Sequence, residues 1–484
     1  MKRCPGLPVL TGCLLVAAVA AGGEADPASL RRGLEEVLER EALRPVFWGV
    51  EVRSLKTGAV LFSRNAAKAF RPASTLKLVT TAAALDTCGP EERLRTTIET
   101  AGRLDATGRI LGDLFLVGRG DSTLGGGRYG DGQPLRPFEA MADALRASGV
   151  KVVEGRVVGH EGLFAGERRG SDWGWEDLTW SYGAEVSALS FNDNAVGLKV
   201  SPGERPNDPA VVELAPPSRY YRVLSSVVTT PPGSKTELRL TRDAGANLIR
   251  LSGAIARGSE AWQGWVALED PARFAATVFT EVLEARGIRV TGDTATSGEP
   301  LPAGRRELAV HEGPTMAELI RIVNKESRNL QAEALLRLLG ARLSGEGSTA
   351  AGRIALDEFL RRTRVRTEGW GIEDGSGLAR SNVVTPEGLV DLLVVMDKHP
   401  HAAAFRASLP VAGADGTLKT RMRETPAEGR LQAKTGTLAL VNGLAGYVTN
   451  ARGERLAFAA LANGQIRPAE AQAALDAIGI LLAR

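Results

Sequence analysis

Two short stretches carry residue types that could perform covalent chemistry together. In Ser74-Thr75-Leu76-Lys77 a hydroxyl and an amine stand three residues apart, which on a helix puts them on one face, a turn from each other. A serine is a poor nucleophile until a base takes its proton. Lys77 can be that base only while uncharged, which calls for a dry site close to another positive charge. In "AKTGTLALV" the tripeptide Lys434-Thr435-Gly436 runs straight into an apolar strand, so Lys434 and Gly436 point to one side and Thr435 and Thr437 to the other. Gly436 would let a substrate backbone lie against the strand edge. Lys434 supplies a fixed cation, suited to a substrate carboxylate and to keeping Lys77 deprotonated. The backbone N–H groups of Ser74 and Thr437 could converge on a developing oxyanion, a donor pair in which losing one member costs about 3 kcal/mol of transition-state stabilisation. Such a set would transfer an acyl group through a serine ester. Taken alone, Ser-x-x-Lys is also what a solvent-facing pair on a helix looks like.

A second Lys-Thr-Gly, Lys56-Thr57-Gly58, reads differently. It separates the apolar "GVEV" and "AVLF", so it is the tip of a hairpin, with Gly58 free to take the positive φ of a tight turn and Lys56 in solvent. Around these stretches the pattern predicts a helix over Pro27–Arg44 ended by Pro45, and another over Ser74–Leu85. After Thr96 short apolar runs between Gly/Asp turns read as strands, persisting to about Ala267. A helix follows over Pro271–Gly287, then a long helical region opened by a Thr315/Glu318 capping box and interrupted by the polar "NKESRN". Helices over Gly352–Arg361, Thr385–Lys398 and Ala469–Leu482 complete the reading. The simplest arrangement is one α+β domain whose sheet takes its first strands from the N-terminal part and its last from the C-terminal part. A mostly β insertion would leave and return through a surface loop.

Composition limits the alternatives. Among 484 residues, 43% hydrophobic and 24% charged suit a globular protein of two or three domains. A net charge of +3 from 60 basic and 57 acidic residues, without Lys/Arg blocks, gives no footprint for nucleic acid. The start, "MKRCPGLPVLTGCLLVAAVAAGGEADP", reads as an export signal over residues 1–25, cleaved near Ala21–Ala25. "LTGC" also looks like a lipoprotein box that would leave Cys13 as a lipid anchor at the membrane, although most of the apolar run follows Cys13. Cleavage would leave Cys88 as the sole cysteine, hence no internal disulfide and no Cys-based metal site. His160, His311, His399 and His401 show no metal-ligand spacing, and "DKHPH" reads as an exposed loop, so neither metal nor cofactor is expected.

Ser-x-x-Lys, Ser-x-Asn and Lys-Thr-Gly in that order form the signature of penicillin-binding proteins and active-site-serine β-lactamases. The middle element here is Ser327-Arg328-Asn329. With "RPASTLKL", "GDLFLVGRGDSTL", "YGAEVSALSFNDNAV", "SRNLQAE", "DGSGLAR" and "LQAKTGTL", the chain resembles, over about residues 30 to 480, the low-molecular-mass class C penicillin-binding proteins. Those are the D-alanyl-D-alanine carboxypeptidases/endopeptidases of peptidase family S13.

The resemblance implies a β-lactamase/transpeptidase-like α+β fold, an antiparallel sheet flanked by helices and interrupted by β-rich domains. On this chain that means a catalytic domain of 27–94 and 305–484, an inserted domain of 95–190 and 263–304, and a nested domain of 191–262. It implies peptidoglycan stem peptides as substrate, β-lactam antibiotics as acylating inhibitors, and a place in the periplasm or cell envelope. Ser74 would be the nucleophile, Lys77 its base, Ser327 a proton relay to the leaving amine, and Asn329 the holder of the substrate amide and of Lys77. Lys434, Thr435 and Thr437 match the strand that binds the penultimate peptide bond and terminal carboxylate, and Arg380 an arginine near its carboxylate end. The tryptophan-rich "SDWGWEDLTWSYG" resembles a segment that reaches back over the site, with Asp177, or its rival Glu176, as contact for a substrate amino group. Two departures stand out. Arg328 takes the middle position usually held by aspartate, its side chain expected to leave the reacting face, and Ser190-Phe191-Asn192 spells a rival Ser-x-Asn. A β-lactamase or esterase using the same groups, and a non-catalytic penicillin-binding scaffold of the envelope, are the alternative readings.

Overall fold

The two ends of the chain meet in one sheet. The computed structural model describes residues 27–126 and 132–484, so the export signal and Cys13 lie outside the described residues. Phe47–Ser54 and Val60–Arg64 form the expected hairpin around Gly58, whose φ is 77°. Their sheet is completed from the other end of the chain, in the antiparallel order Leu431–Leu438, Val441–Thr449, Arg455–Asn463, Phe47–Ser54, Val60–Arg64. The Lys-Thr-Gly strand therefore starts before the tripeptide and turns at Ala439–Leu440, instead of running on through "TLALV".

Both faces of this sheet are covered. Leu34, Trp48, Phe458 and Ile478 join one face to helices Pro27–Leu38 and Pro468–Ala483. Leu78, Leu336, Leu393, Tyr447 and Leu461 join the other to a layer of helices. The serine stretch opens that second layer as a tight 3-10 turn, Ala73–Leu76, running into the helix Lys77–Cys88. The N-terminal helix ends at Leu38, short of the predicted Arg44, and a separate 3-10 turn covers Glu41–Leu43.

The insertion does not leave through a loop. It departs on strand Arg93–Thr100 and returns on Arg306–Thr315, paired antiparallel from Arg93/Thr315 to Thr100/Arg306. A neck of two bonded strands holds the insertion more firmly than a loop would. These strands lie in a five-stranded sheet with Ala295–Ser297, Val157–His160 and Leu114–Gly118. Phe138, Phe191, Phe274 and Phe279 stack in the insertion's own core. Phe138 belongs to a helix, Arg136–Ala147, which interrupts the expected run of strands. Two three-stranded sheets, built around Ala195–Ser201 and around Leu248–Ala256, make the nested part.

The Thr315/Glu318 capping box is present, with Thr315 N–H donating to Glu318 Oε2 at 2.8 Å. The helical region it opens breaks as the polar interruption suggested, into Met316–Lys325 and Asn329–Ser344, leaving Ser327 between them at φ 55°. The second of these helices packs on Thr349–Arg362 through two glycines. A Cβ at Gly340 would stand 2.7 Å from the Gly352 nitrogen, and one at Gly352 would fall on the Leu336 carbonyl. Gly352→Ala should therefore destabilise the protein by about 1–3 kcal/mol through overpacking, outweighing the roughly 1 kcal/mol that alanine gains in an unstrained helix. Urea unfolding would measure it, and a more stable variant would contradict the close crossing.

Candidate active site

The 3-10 turn and first helical turn place Lys77 Nζ 2.8 Å from Ser74 Oγ. The same nitrogen lies 2.7 Å from Asn329 Oδ1 and 2.7 Å from the Ser376 carbonyl oxygen. Lys77 is fully buried, while Ser74 is partly exposed. None of its three partners is charged. A neutral amine has two N–H donors and one lone pair, so two carbonyl acceptors and a serine hydroxyl donating to the lone pair satisfy it completely. Burial brings the Lys77 amine down to about 7, against the opposing pull of Asp374 and Glu333.

Lys434 occupies the facing side. Its Nζ donates to Ser327 Oγ and to the Thr435 carbonyl, each at 2.8 Å. It too is fully buried, and burial followed by the nearby Lys77 charge holds it well below the ordinary lysine range, so in the free protein it is not the fixed cation expected from the sequence, and burial rather than Lys434 lowers Lys77. Thr435 Oγ1 meets Thr417 Oγ1 at 2.8 Å. Leu431–Leu438 is an edge strand whose outward groups are paired in its first half, where Ala412 N–H donates to Leu431 O and Ala433 N–H to Pro410 O, and again at the Thr435 carbonyl, which accepts from Lys434. By strand parity the N–H groups of Thr435 and Thr437 point the same way, along the part of the edge beside Ser74. Gly436, expected to admit a substrate backbone, instead admits the serine turn. A Cβ there would lie 2.6 Å from Pro72 O, 3.2 Å from Ser74 N and 3.1 Å from Thr75 N.

A buried loop backs Lys77. Asp374 accepts from the N–H groups of Gly377 at 2.8 Å and Ala379 at 2.6 Å, from Asn382 Nδ2 at 2.8 Å and from the Trp173 indole at 3.0 Å. Glu333, one helical turn after Asn329, accepts from Gly375 N–H at 3.1 Å and Ser376 N–H at 2.7 Å. These two acids belong to "DGSGLAR" and "NLQAE", stretches whose sequence assigns them no role. Their signal was an acid set among glycines, and an acid four residues beyond Asn329 on the same helix face.

The tryptophan-rich segment closes over the site. Asn329 Nδ2 donates to Tyr182 O at 2.9 Å, and Ser381 N–H to Asp172 Oδ2 at 2.7 Å. Asp177 is buried and accepts from Arg380 Nη1 at 2.9 Å and Gly174 N–H at 2.8 Å. Asp177 and Arg380 thus face each other, so an amino group or carboxylate reaching either must enter an existing ion pair, while Glu176 is exposed. Arg328 does leave the reacting face, its Nη1 3.6 Å from Asp193 Oδ2 of the insertion. Gln331 Nε2 donates to Asp193 Oδ1 at 2.8 Å. The rival Ser190 donates to Ser187 O at 2.9 Å and accepts from Asn194 Nδ2 at 3.1 Å, in the insertion's interior. His399 is not in an exposed loop: its ring bonds Asp86 Oδ1 at 3.1 Å, with little of its side chain in solvent.

Residues 30–484 match the D-Ala-D-Ala carboxypeptidase 3 (S13) family. The chain belongs to this family. It is 36% identical over 491 residues to a D-alanyl-D-alanine carboxypeptidase of Actinomadura sp. (strain R39), covering 99% of this chain and 89% of that protein. It is 25% identical to the D-alanyl-D-alanine carboxypeptidase DacB of Haemophilus influenzae, covering 86% and 85%. The fold matches the crystal structure of penicillin binding protein 4 from Haemophilus influenzae with a TM-score of 0.79 at 23% identity, covering 93% of this chain and 98% of that one. A predatory peptidoglycan endopeptidase from Bdellovibrio bacteriovorus shares the fold more distantly, with a TM-score of 0.51 at 16% identity over 89% and 91% of the two chains.

In this S13 member the contact at Gly436 offers a direct test. Gly436→Ala must push the Lys434 strand away from Ser74, and displacements near 1 Å cost about 10²-fold in well-aligned sites. The variant should fold, yet its acylation by a fluorescent penicillin should slow by about that factor. A second test concerns the ion pair: Asp177→Asn should cost about 1–2 kcal/mol of stability, and Glu176→Gln less than about 0.5 kcal/mol. Thermal or urea unfolding would compare them, and equal effects would contradict the pairing.

Proposed function

We propose that the protein is a serine D-alanyl-D-alanine carboxypeptidase of the cell envelope, acylated by penicillins. The observation that carries this reading is the fully buried Lys77 amine, bonded only to neutral groups and 2.8 Å from Ser74 Oγ. Lys77 takes the Ser74 proton as Oγ bonds to the carbonyl carbon between two D-alanines. The N–H groups of Ser74 and Thr437 receive the oxyanion. The carbon–nitrogen bond breaks as Ser327, hydrogen-bonded to Lys434, passes its proton to the departing amine and takes in its place the one that Lys77 removed from Ser74, which leaves Lys77 neutral again. Water then cleaves the ester and Ser74 regains its hydroxyl. Lys434 and Thr435 receive the terminal carboxylate, whose charge favours the ammonium form of Lys434. When the departing amine belongs to a cross-link, the same route is D,D-endopeptidase action.

Support for the substrate class comes from the family and from the 36% identical Actinomadura enzyme. The leader read at residues 1–25 supports export. Among the described residues no helix is long and apolar enough to cross a membrane.

Ser74→Ala should abolish both penicillin labelling and D-alanine release, with no other residue labelled. Because Lys77 acts uncharged and sits at about 7, acylation should fall about tenfold per pH unit below that value and level off above it. A flat profile from pH 5.5 to 8.5 would reject Lys77 as the base. Incubation with cross-linked muropeptides, followed by mass analysis, separates the activities: dimers shortened by one alanine report carboxypeptidase, monomers endopeptidase.

A further inference from the structure

We infer that Glu333 is a positioning residue for the proposed acyl transfer: through the Gly375–Ser376 peptide its carboxylate aims the Lys77 amine at Ser74 and governs how that amine holds its proton. The inference rests on the reading of Ser74 and Lys77 given above.

The geometry is a short relay. Glu333 is buried to 2% exposure, and its Oε1 accepts from both Gly375 N–H and Ser376 N–H, at 3.1 and 2.7 Å. The far side of the same segment presents the Ser376 carbonyl to Lys77 Nζ at 2.7 Å. The Gly375 carbonyl is pinned by Thr80 Oγ1 at 2.7 Å, from the helix that carries Lys77. The loop is thus clamped between Glu333 and the base helix, and the one acceptor it offers Lys77 has no freedom to wander. Glu333 and Asn329 share a helix face, so one helix directs two of the amine's three partners.

Charge adds a second effect. The charged groups acting on Lys77 are Asp374 and Glu333, both favouring its ammonium form, while the Lys77 charge in turn lowers the facing Lys434. Glu333 itself faces Asp374 and the buried Arg337. Arg337 is drawn elsewhere as well, donating to the Glu167 carbonyl of the insertion. Burial, reinforced by Asp374, pushes the Glu333 carboxyl up to about 7, the range to which Lys77 has been brought down. The N–H groups of Gly375 and Ser376 work the other way and favour the Glu333 carboxylate, the form that acts on Lys77. Removing the Glu333 charge makes the Lys77 ammonium less favourable, so the base is freed at lower pH.

The experiment is the pH dependence of acylation of the full chain by a fluorescent penicillin, from pH 5.5 to 9. Glu333→Gln keeps an oxygen able to accept from Gly375 and Ser376 while deleting the charge. Its acidic limb should move down by at least about 0.5 unit, so that at pH 6 it retains roughly threefold more of its own plateau rate than wild type does. A limb coincident with that of wild type overturns the inference. Glu333→Asp keeps the charge and shortens the reach: it should leave the limb in place but lower the plateau about tenfold or more, and a wild-type plateau would overturn the aiming role. Should Glu333→Gln fail to fold, this second variant decides alone. Failure of the underlying reading looks different, because wild type itself would then lack a limb near neutrality or label at a residue other than Ser74.

Discussion

The site depends on keeping one amine dry. Bringing Lys77 from 10.5 to about 7 means that burial, net of two carboxylates that pull the other way, disfavours its charge by on the order of 5 kcal/mol. An uncompensated buried amine would be costly in its own right. It is compensated here by partners that fit a neutral amine: an amide oxygen from helix Asn329–Ser344, a carbonyl from the Asp374–Arg380 loop and the serine of its own turn. Because the three come from separate parts of the chain, the amine has its place only when all of them are assembled. Tertiary structure, not the local Ser-x-x-Lys spacing, gives the pair its geometry.

The insertion is bonded into the same assembly. Its tryptophan-rich segment reaches Asn329 through Tyr182, Asp374 through Trp173 and Arg380 through Asp177. Each of those catalytic-domain residues either touches Lys77 or belongs to the loop that does. Arg328 continues the pattern. Ser327 sits at φ 55°, a conformation a non-glycine residue keeps only where its surroundings impose it. Its neighbours Arg328 and Asn329 are both held by the insertion, through Asp193 and Tyr182. The aspartate common at the middle position could not make the Arg328 contact, so here the opposite charge stands on the insertion. A paired-strand neck suits such a connection, since a hinged loop would let these contacts drift.

The sequence made legible what local periodicity and ordered motifs control. The hairpin around Gly58, the capping box at Thr315, the break in "NKESRN" and the mixing of N- and C-terminal strands in one sheet all show in residue type and spacing. So do Ser74, Lys77, Ser327, Asn329 and Lys434, which the structure brings into two adjoining hydrogen-bonded groups. What stayed hidden depends on approach directions. Gly436 looked like room for substrate because its nearest neighbour in space, Pro72, is remote in sequence. Asp177 and Arg380 stand as separate substrate contacts in the sequence because no pattern reveals that they face each other. Helix Arg136–Ala147 was lost among turn residues, although Phe138, Met141, Ala142 and Leu145 recur at its period.

The facing lysines complete the logic. Two ammonium groups in one dry cleft repel strongly, so the site accommodates one charge far more readily than two. In the free protein both amines sit below their ordinary range, and Lys434, which has Lys77 among the causes of its shift, is held well below it. In the proposed reaction a substrate carboxylate at Thr435 breaks this symmetry, stabilising charge on Lys434 and none on Lys77. The ammonium so formed disfavours protonation of Lys77 in turn, so the arrival of the group that marks the correct substrate keeps the base uncharged and able to take the Ser74 proton. Specificity for a free carboxyl terminus and activation of Ser74 then have one electrostatic origin, and a peptide lacking that carboxylate would meet a site whose base has less reason to be neutral.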